Sequence, residues 1–316
     1  MIKNNFEDYF DTMQVITHAA RKNLGEDSFF CAQSEESAMV CVLDGCGGLG
    51  ARKYDSFQGH TGAYIASRTV AGAVHDWYYD TTNSRWGSSE KNLDSLKQYI
   101  MMGYEVSSQY ASERLRISGS MVRKFPTTLA MAYVEKAENE IIAHIVWAGD
   151  SRVYLLDSNG LSQLTRDDTE VVDALENLTA DAPMMNVLSA DGEFKLNYKA
   201  IRLTGPALLL AATDGCFGYI PSPMEFEGII LQELIESETP RQFHDRLSEQ
   251  LADCAGDDIA MGMLSFNFGT FEQTKKILGK RFEWLNNQYL SGINDDEAES
   301  RKTVWNQYRE NYERYL

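Results

Sequence analysis

Histidine is scarce in this chain, and its five copies stand apart at positions 18, 60, 75, 144 and 244. None is spaced from a cysteine or a carboxylate as zinc ligands are, which argues against a zinc centre. The five cysteines (31, 41, 46, 216 and 254) form no Cys-x-x-Cys pair. They fall short of the density of a disulfide-stapled secreted domain, so a reducing, cytoplasmic setting is expected. No apolar run approaches the roughly 20 residues of a membrane span. Nor does Met1-Ile2-Lys3-Asn4-Asn5-Phe6-Glu7-Asp8 have the basic-then-apolar order of a signal peptide. Basic residues are in deficit: 29 Lys and Arg against 47 Asp and Glu give a net charge of −18, which disfavours nucleic acid and anionic membrane as partners. Core material is ample, with 43% hydrophobic residues and 11% aromatics. A length of 316 residues exceeds the roughly 100–200 of a usual domain, so one large domain with an appendage is expected.

One stretch organises the rest. Met39 to Leu43 is an unbroken apolar run that ends in Asp44-Gly45-Cys46-Gly47-Gly48. It reads as a buried strand holding a carboxylate at its tip, with glycines that let a ligand approach the backbone. The same grammar recurs where Leu208 to Thr213 leads into Asp214-Gly215. Further acids stand at Glu26-Asp27 and Gly256-Asp257-Asp258. A single Asp-Gly is most simply a turn; two buried strands ending in one suggest a shared site.

In chain order, strands are expected at Gln14 to Ala19 and Phe29 to Ala32, and helices at Phe57 to Thr82 and Leu93 to Leu115. A meander follows at Leu129–Val134, Ile141–Ala148 and Val153–Leu156, turning at Glu138-Asn139 and Gly149-Asp150-Ser151-Arg152. Thr165 to Asp191 reads as a short helix and an irregular flap. Strands resume at Lys195–Leu203 and Ala207–Ala212, then helices at Phe226–Ile235 and Pro240–Ala252, then a strand at Ile259–Phe266. Continuously apolar strands require cover on both faces. The expected fold is therefore α+β: an antiparallel β-sandwich flanked by helices on both outer faces, in four layers.

Convergent carboxylates need cations or steeply raised pKa values. Oxygen-only ligation favours Mg²⁺ or Mn²⁺, and two such ions about 3.5–4 Å apart can activate a water for attack on a phosphate.

The ordered motifs Glu26-Asp27, Asp44-Gly45-x-Gly47-Gly48, Thr127-Thr128-Leu129, Gly149-Asp150-Ser151-Arg152, Leu164-Thr165-Arg166-Asp167, Thr213-Asp214-Gly215 and Gly256-Asp257-Asp258-Ile259 resemble the metal-dependent serine/threonine phosphatases of type 2C in their bacterial form. The resemblance spans about residues 14–268 and implies a β-sandwich between helical layers. It implies catalysis by Asp44, Asp214 and Asp257 through bound metal. Asp44 would bridge two ions, Asp214 and Asp257 would complete one site, and Glu26 with the Gly45 carbonyl would serve the other. Asp150 is open to a third ion or to a plain turn paired with Arg152. The implied partner is a phosphorylated protein, the product of a Ser/Thr kinase. A catalytically silent binding module and a hydrolase of small phosphomonoesters are the alternatives.

Two departures bear on the site. The family's phosphate-binding arginine falls on Lys22, with Arg21 one position earlier, and the guanidinium fork makes Arg21 the favoured clamp. Cys46 and Cys216 each follow a metal-site Asp-Gly, either as small residues that fit there or as thiolates drawn by the metal charge.

The catalytic module is expected to occupy 1–268 and a helical extension 269–316. Leu278, Phe282, Leu285 and Tyr289 share a helical face, as do Trp305, Tyr308, Tyr312 and Tyr315 beyond the acidic break Asn294-Asp295-Asp296-Glu297. These stripes either pack on the core or dock a partner.

Overall fold

Every residue of the strand that carries Asp44 is buried. Successive side chains of a strand point to opposite faces, so this strand needs apolar cover on both. Met39, Cys41 and Leu43 pack into a cluster with helices, whereas Ala38, Val40 and Val42 join the core between two sheets. The computed structural model describes residues 5–22, 24–81, 86–111, 123–137, 140–171, 173–178, 183–294 and 298–316.

The strands are β1 (Phe10–His18), β2 (Ser28–Gln33), β3 (Ser37–Leu43), β4 (Lys53–Tyr54), β5 (His60–Thr61), β6 (Leu129–Ala137), β7 (Glu140–Ala148), β8 (Arg152–Asp157), β9 (Gly160–Gln163), β10 (Asn197–Leu203), β11 (Ala207–Ala212) and β12 (Ile259–Phe266). The helices are α1 (Gly62–Thr81), α2 (Ser89–Tyr110), α3 (Ala174–Asn177), α4 (Pro223–Glu236), α5 (Pro240–Cys254), α6 (Phe271–Gln288) and α7 (Ala298–Tyr312). One antiparallel sheet has the order β1-β12-β11-β8-β9, the other β10-β7-β6-β3-β2, and β4-β5 forms a small ribbon.

Helices α1 and α2 cover the outer face of the β3 sheet, while residues of α4, α5, α6 and α7 join the cluster on the outer face of the β11 sheet. The four-layer sandwich is thus as expected. The sheets approach closely where Gly262 of β12 meets Val40: a Cβ on Gly262 would lie 2.7 Å from the valine Cβ. No helix among the described residues is long and apolar enough to cross a membrane.

Several elements differ from the sequence expectation. Helix α1 begins at Gly62 rather than Phe57, because residues 53–61 form the β4-β5 ribbon and a 3-10 turn. Helix α2 ends at Tyr110. Short β9, too brief for a periodic signal, extends the hairpin that turns at Gly160, whose φ of +111° suits glycine. The expected turn at Glu138-Asn139 lies outside the described residues.

The extension is built into the outer helical layer. Leu278, Leu285, Tyr289, Trp305, Tyr308 and Tyr312 are all buried in the cluster that contains α4 and the β11 sheet. The lock is polar. Arg281 of α6 donates from Nε to Glu227 Oε1 at 2.6 Å and from Nη2 to Oε2 at 3.0 Å, and the Tyr308 hydroxyl donates to the same Oε2 at 2.6 Å. Glu227 has no exposed surface.

Removing one partner of such a pair strands a buried charge, at a cost of about 3–5 kcal/mol, whereas losing one hydroxyl to a satisfied carboxylate costs about 1 kcal/mol. Glu227→Ala is therefore expected to lower Tm strongly and Tyr308→Phe mildly, as read by thermal unfolding. Equal shifts would mean that the triad does not hold the tail. Truncation after Phe268 is expected to lower Tm and cause aggregation, since it bares the cluster under Trp305 and Tyr312.

Candidate active site

The two Asp-Gly tips come together because β3 and β11 belong to opposed sheets and end on the same side. Asp44, Asp150 and Asp214 line one cleft of about 790 Å³. Paired threonines fix the Asp44 backbone. Thr127 Oγ1 donates to the Asp44 carbonyl at 2.6 Å, the Thr128 amide donates to it at 2.9 Å, and Thr128 Oγ1 accepts from the Asp44 amide at 3.1 Å. The Thr128 and Ser151 hydroxyls, 2.6 Å apart, tie this loop to the turn of Asp150.

Glu26 arrives on the loop between β1 and β2. The Asp258 carboxylate closes that loop by accepting from the Ala20 amide at 2.8 Å and the Glu26 amide at 2.5 Å. The Thr61 hydroxyl donates to the Glu26 carboxylate. Arg68, stacked 3.6 Å over the Tyr64 ring, donates to the Glu26 carbonyl at 3.0 Å and the Gly25 carbonyl at 2.9 Å. The glycines of the Asp44 loop are needed for this approach: a Cβ on Gly45 would stand 2.6 Å from the Glu26 carbonyl oxygen, and one on Gly47 would run into the Glu26 carboxylate. Asp257 is exposed beside Asp214, with its Oδ1 accepting from the Asp258 amide at 2.8 Å. A Cβ on Gly215 would strike the Asp258 carbonyl, so the two acidic loops touch there.

The electrostatics are dominated by like charge out of water. Burial, then Asp214, Asp27 and Asp150, push the Asp44 carboxyl well above its ordinary range. Asp27 is raised to about 8 by burial, with a smaller opposing effect of its hydrogen bond to Thr213 and further upward pressure from Asp214 and Asp258. Asp150 is raised to about 8 by burial, Asp214 and Asp167, and Asp214 to about 6 by burial and Asp257. Glu26 is raised chiefly by burial. Asp27 Oδ2 and Asp150 Oδ1 are buried without a hydrogen-bond partner.

Among the described residues no three acidic, imidazole or thiol side chains already surround one point as a metal shell. The donor chemistry nevertheless fits hard divalent cations: oxygen donors only, two of them orphaned, in a site with excess negative charge. Glu26 with the Gly45 carbonyl, and Asp214 with Asp257, flank Asp44 as the candidate ligand groups.

The remaining expected residues divide between the cleft and its surroundings. Arg21 and Lys22 are exposed on the β1-β2 loop and do not line the cleft. Asp150 does line it, and Arg152 is not its partner: the guanidinium bonds Asp167, with Nη2 to Oδ2 at 2.7 Å. Cys46 and Cys216 are buried, and burial, followed by neighbouring carboxylates, raises both thiols. Both sit as small side chains in closely packed surroundings. Sequence reasoning gave no role to Asp27, Asp258, Thr61 or Arg68. The doubled acid of Gly256-Asp257-Asp258 signalled Asp258; nothing in the sequence marks Arg68, which reaches the site from the second turn of α1.

The family model of protein phosphatase 2C matches residues 16–256. Among solved structures, the serine/threonine phosphatase Stp1 of Staphylococcus aureus is 19% identical at TM-score 0.58, over 80% of this chain and 94% of that one. The phosphatase PstP/Ppp of Mycobacterium tuberculosis is 18% identical at TM-score 0.55, over 81% and 98%. A catalytic domain of PstP in complex with two manganese ions is 18% identical at TM-score 0.53, over 81% and 98%. At these identities the likeness is one of fold. No curated protein matches the chain significantly.

The raised carboxyls set a pH dependence. A carboxyl that ionises near pH 4 when unfolded but holds its proton to about pH 8 when folded, as at Asp27 and Asp150, binds more protons in the fold across that window. Stability therefore falls as pH rises from about 4 to about 8. Chelated protein is expected to lose Tm steadily between pH 5 and 8, and added Mn²⁺ to flatten the slope. A chelated Tm that rises with pH would contradict this electrostatic account.

Proposed function

The chain belongs to the protein phosphatase 2C family, and from that premise we propose that it hydrolyses phosphoserine and phosphothreonine in proteins with the help of divalent cations. The observation that carries this reading is the cleft that brings Asp44, Asp150 and Asp214 together, where burial and neighbouring carboxylates raise each carboxyl above its ordinary range. A cation relieves that repulsion directly. Mg²⁺ or Mn²⁺ would be held by Asp44 between two groups, Glu26 with the Gly45 carbonyl and Asp214 with Asp257, with Asp150 available to a third ion. Bound there, the ions supply a water-derived nucleophile at neutral pH and neutralise phosphate charge. The manganese-bound PstP domain, which shares this fold, supports the choice of metal.

The chain's own contribution is to hold the acids still. Thr127 and Thr128 fix Asp44, Thr61 orients Glu26, and Asp258 keeps the Glu26 loop closed on the site. Asp44 and Asp214 come from rigid strand ends, which preserves their spacing when charge builds up in the transition state. The flap is anchored by Asp168, which accepts from Asn186 Nδ2 at 2.6 Å, Asn197 Nδ2 at 2.9 Å and the Gly149 amide at 3.1 Å. The presence of Asp44, Asp214 and Asp257 together counts against a silent binding module. A cytoplasmic location is part of the proposal, since all five cysteines are free thiols.

The deciding assay follows an aryl phosphate and a phosphothreonine peptide with Mn²⁺ and with chelator. Turnover is expected only with the metal. Asp44→Asn and Asp214→Asn are each expected to lose activity on the order of 1,000-fold or more while unfolding cooperatively. Near-normal activity in either variant would remove the metal assignment.

A further inference from the structure

We propose that Arg123 is a specificity residue that selects phosphopeptides carrying a second anionic group, a carboxylate or another phosphate, beside the scissile phosphate. The idea rests on the phosphatase reading for the reaction, though its binding prediction stands apart from turnover. The cleft wall holds Asp44, Asp150, Asp214 and Glu193, and the one cation among its described lining residues is Arg123. In a protein of net charge −18, an acidic peptide approaching this cleft meets repulsion. Arg123 is where it meets the opposite sign.

The position of Arg123 is fixed from two sides. Its amide donates to the Leu49 carbonyl at 3.1 Å, just past the glycines that follow Asp44, and the Lys124 carbonyl accepts from the Ala190 amide at 2.8 Å. Its backbone therefore bridges the Asp44 loop and the turn of residues 189–193. At the tip, Gly192 leaves room for the guanidinium: the point a Cβ would occupy lies 3.1 Å from Arg123 Nη1 and 2.9 Å from Ser189 Oγ. A guanidinium and a hydroxyl thus converge on the bare face of one glycine.

Among the described residues no carboxylate forms an ion pair with Arg123, although Asp191 and Glu193 follow in the same turn. Its fork of donors remains free for a planar carboxylate or a phosphate. The scissile phosphate belongs with Asp44 and Asp214. Arg123, on the Leu49 side of the cleft, falls beside the peptide's flanking residues.

The experiment measures binding of labelled phosphonate peptides in Mn²⁺ by fluorescence anisotropy. Three flanks are compared: neutral, glutamate-bearing, and bearing a second phosphate. Wild type is expected to bind one or both anionic peptides about tenfold more tightly than the neutral one, about 1.4 kcal/mol, and the two anionic arms show which oxyanion it favours. Arg123→Ala and Arg123→Gln should erase the preference while leaving the neutral peptide's Kd and aryl phosphate turnover within twofold. Gly192→Ala, which crowds the guanidinium, should reduce it. Equal binding of all three peptides by wild type, or a preference that survives in Arg123→Ala, overturns the proposal. A preference that depends on Arg123 in a protein that turns over no phosphopeptide would overturn the phosphatase reading and leave this one standing.

Discussion

Repulsion among carboxylates at one end of the sandwich is the constraint to which the rest of the structure answers. Two like charges 4 Å apart cost on the order of 4 kcal/mol at the effective dielectric near a protein surface, and here Asp44 feels Asp214, Asp27 and Asp150 together. A flexible scaffold would let them drift apart. This one does not, because Asp44 and Asp214 are the tips of fully buried strands, each packed against helices on one face and against the opposite sheet on the other. The apolar core therefore supplies the restoring force that holds the acids near one another.

Small residues convert that force into close approach. Gly45 and Gly47 admit Glu26, Gly215 admits the Asp258 loop, and Gly262 lets the sheets meet at Val40. In each case the position matters for what it leaves out. A methyl group at Gly215 would separate the two acidic loops and change the field at Asp214.

The architecture was legible because its signals are strong and local. Continuous apolar strands such as Ser37–Leu43 and Ala207–Ala212 demand two covered faces, and Asp-Gly after each marks where the cover stops. That Asp44 and Asp214 face one cleft was legible for the same reason. What escaped was whatever depends on contacts between distant segments. Arg68 looks like any helix-surface arginine until α1 is laid against the Glu26 loop. Arg152 stands beside Asp150 in sequence, yet its partner is Asp167, fifteen residues on. The phosphate clamp expected at Arg21 or Lys22 rests on the family pattern alone; both side chains are exposed on a loop whose ends Asp258 pins.

Arg152 carries one more consequence. Its guanidinium is buried, stacks 4.4 Å from the Phe217 ring just past Asp214, bonds Asp167, and reaches the Tyr154 and Tyr312 hydroxyls at 3.3 and 3.4 Å. One cation thus touches the neighbourhood of Asp150 and Asp214 and the last turn of α7. Thermodynamic linkage is reciprocal: whatever steadies the cleft loops around Arg152 also holds the C-terminal helix down, and a tail that lifts away takes a hydrogen bond from a buried charge two residues from Asp150. The catalytic end and the chain's last helix are in this sense a single cooperative unit, joined through a side chain that neither exposes.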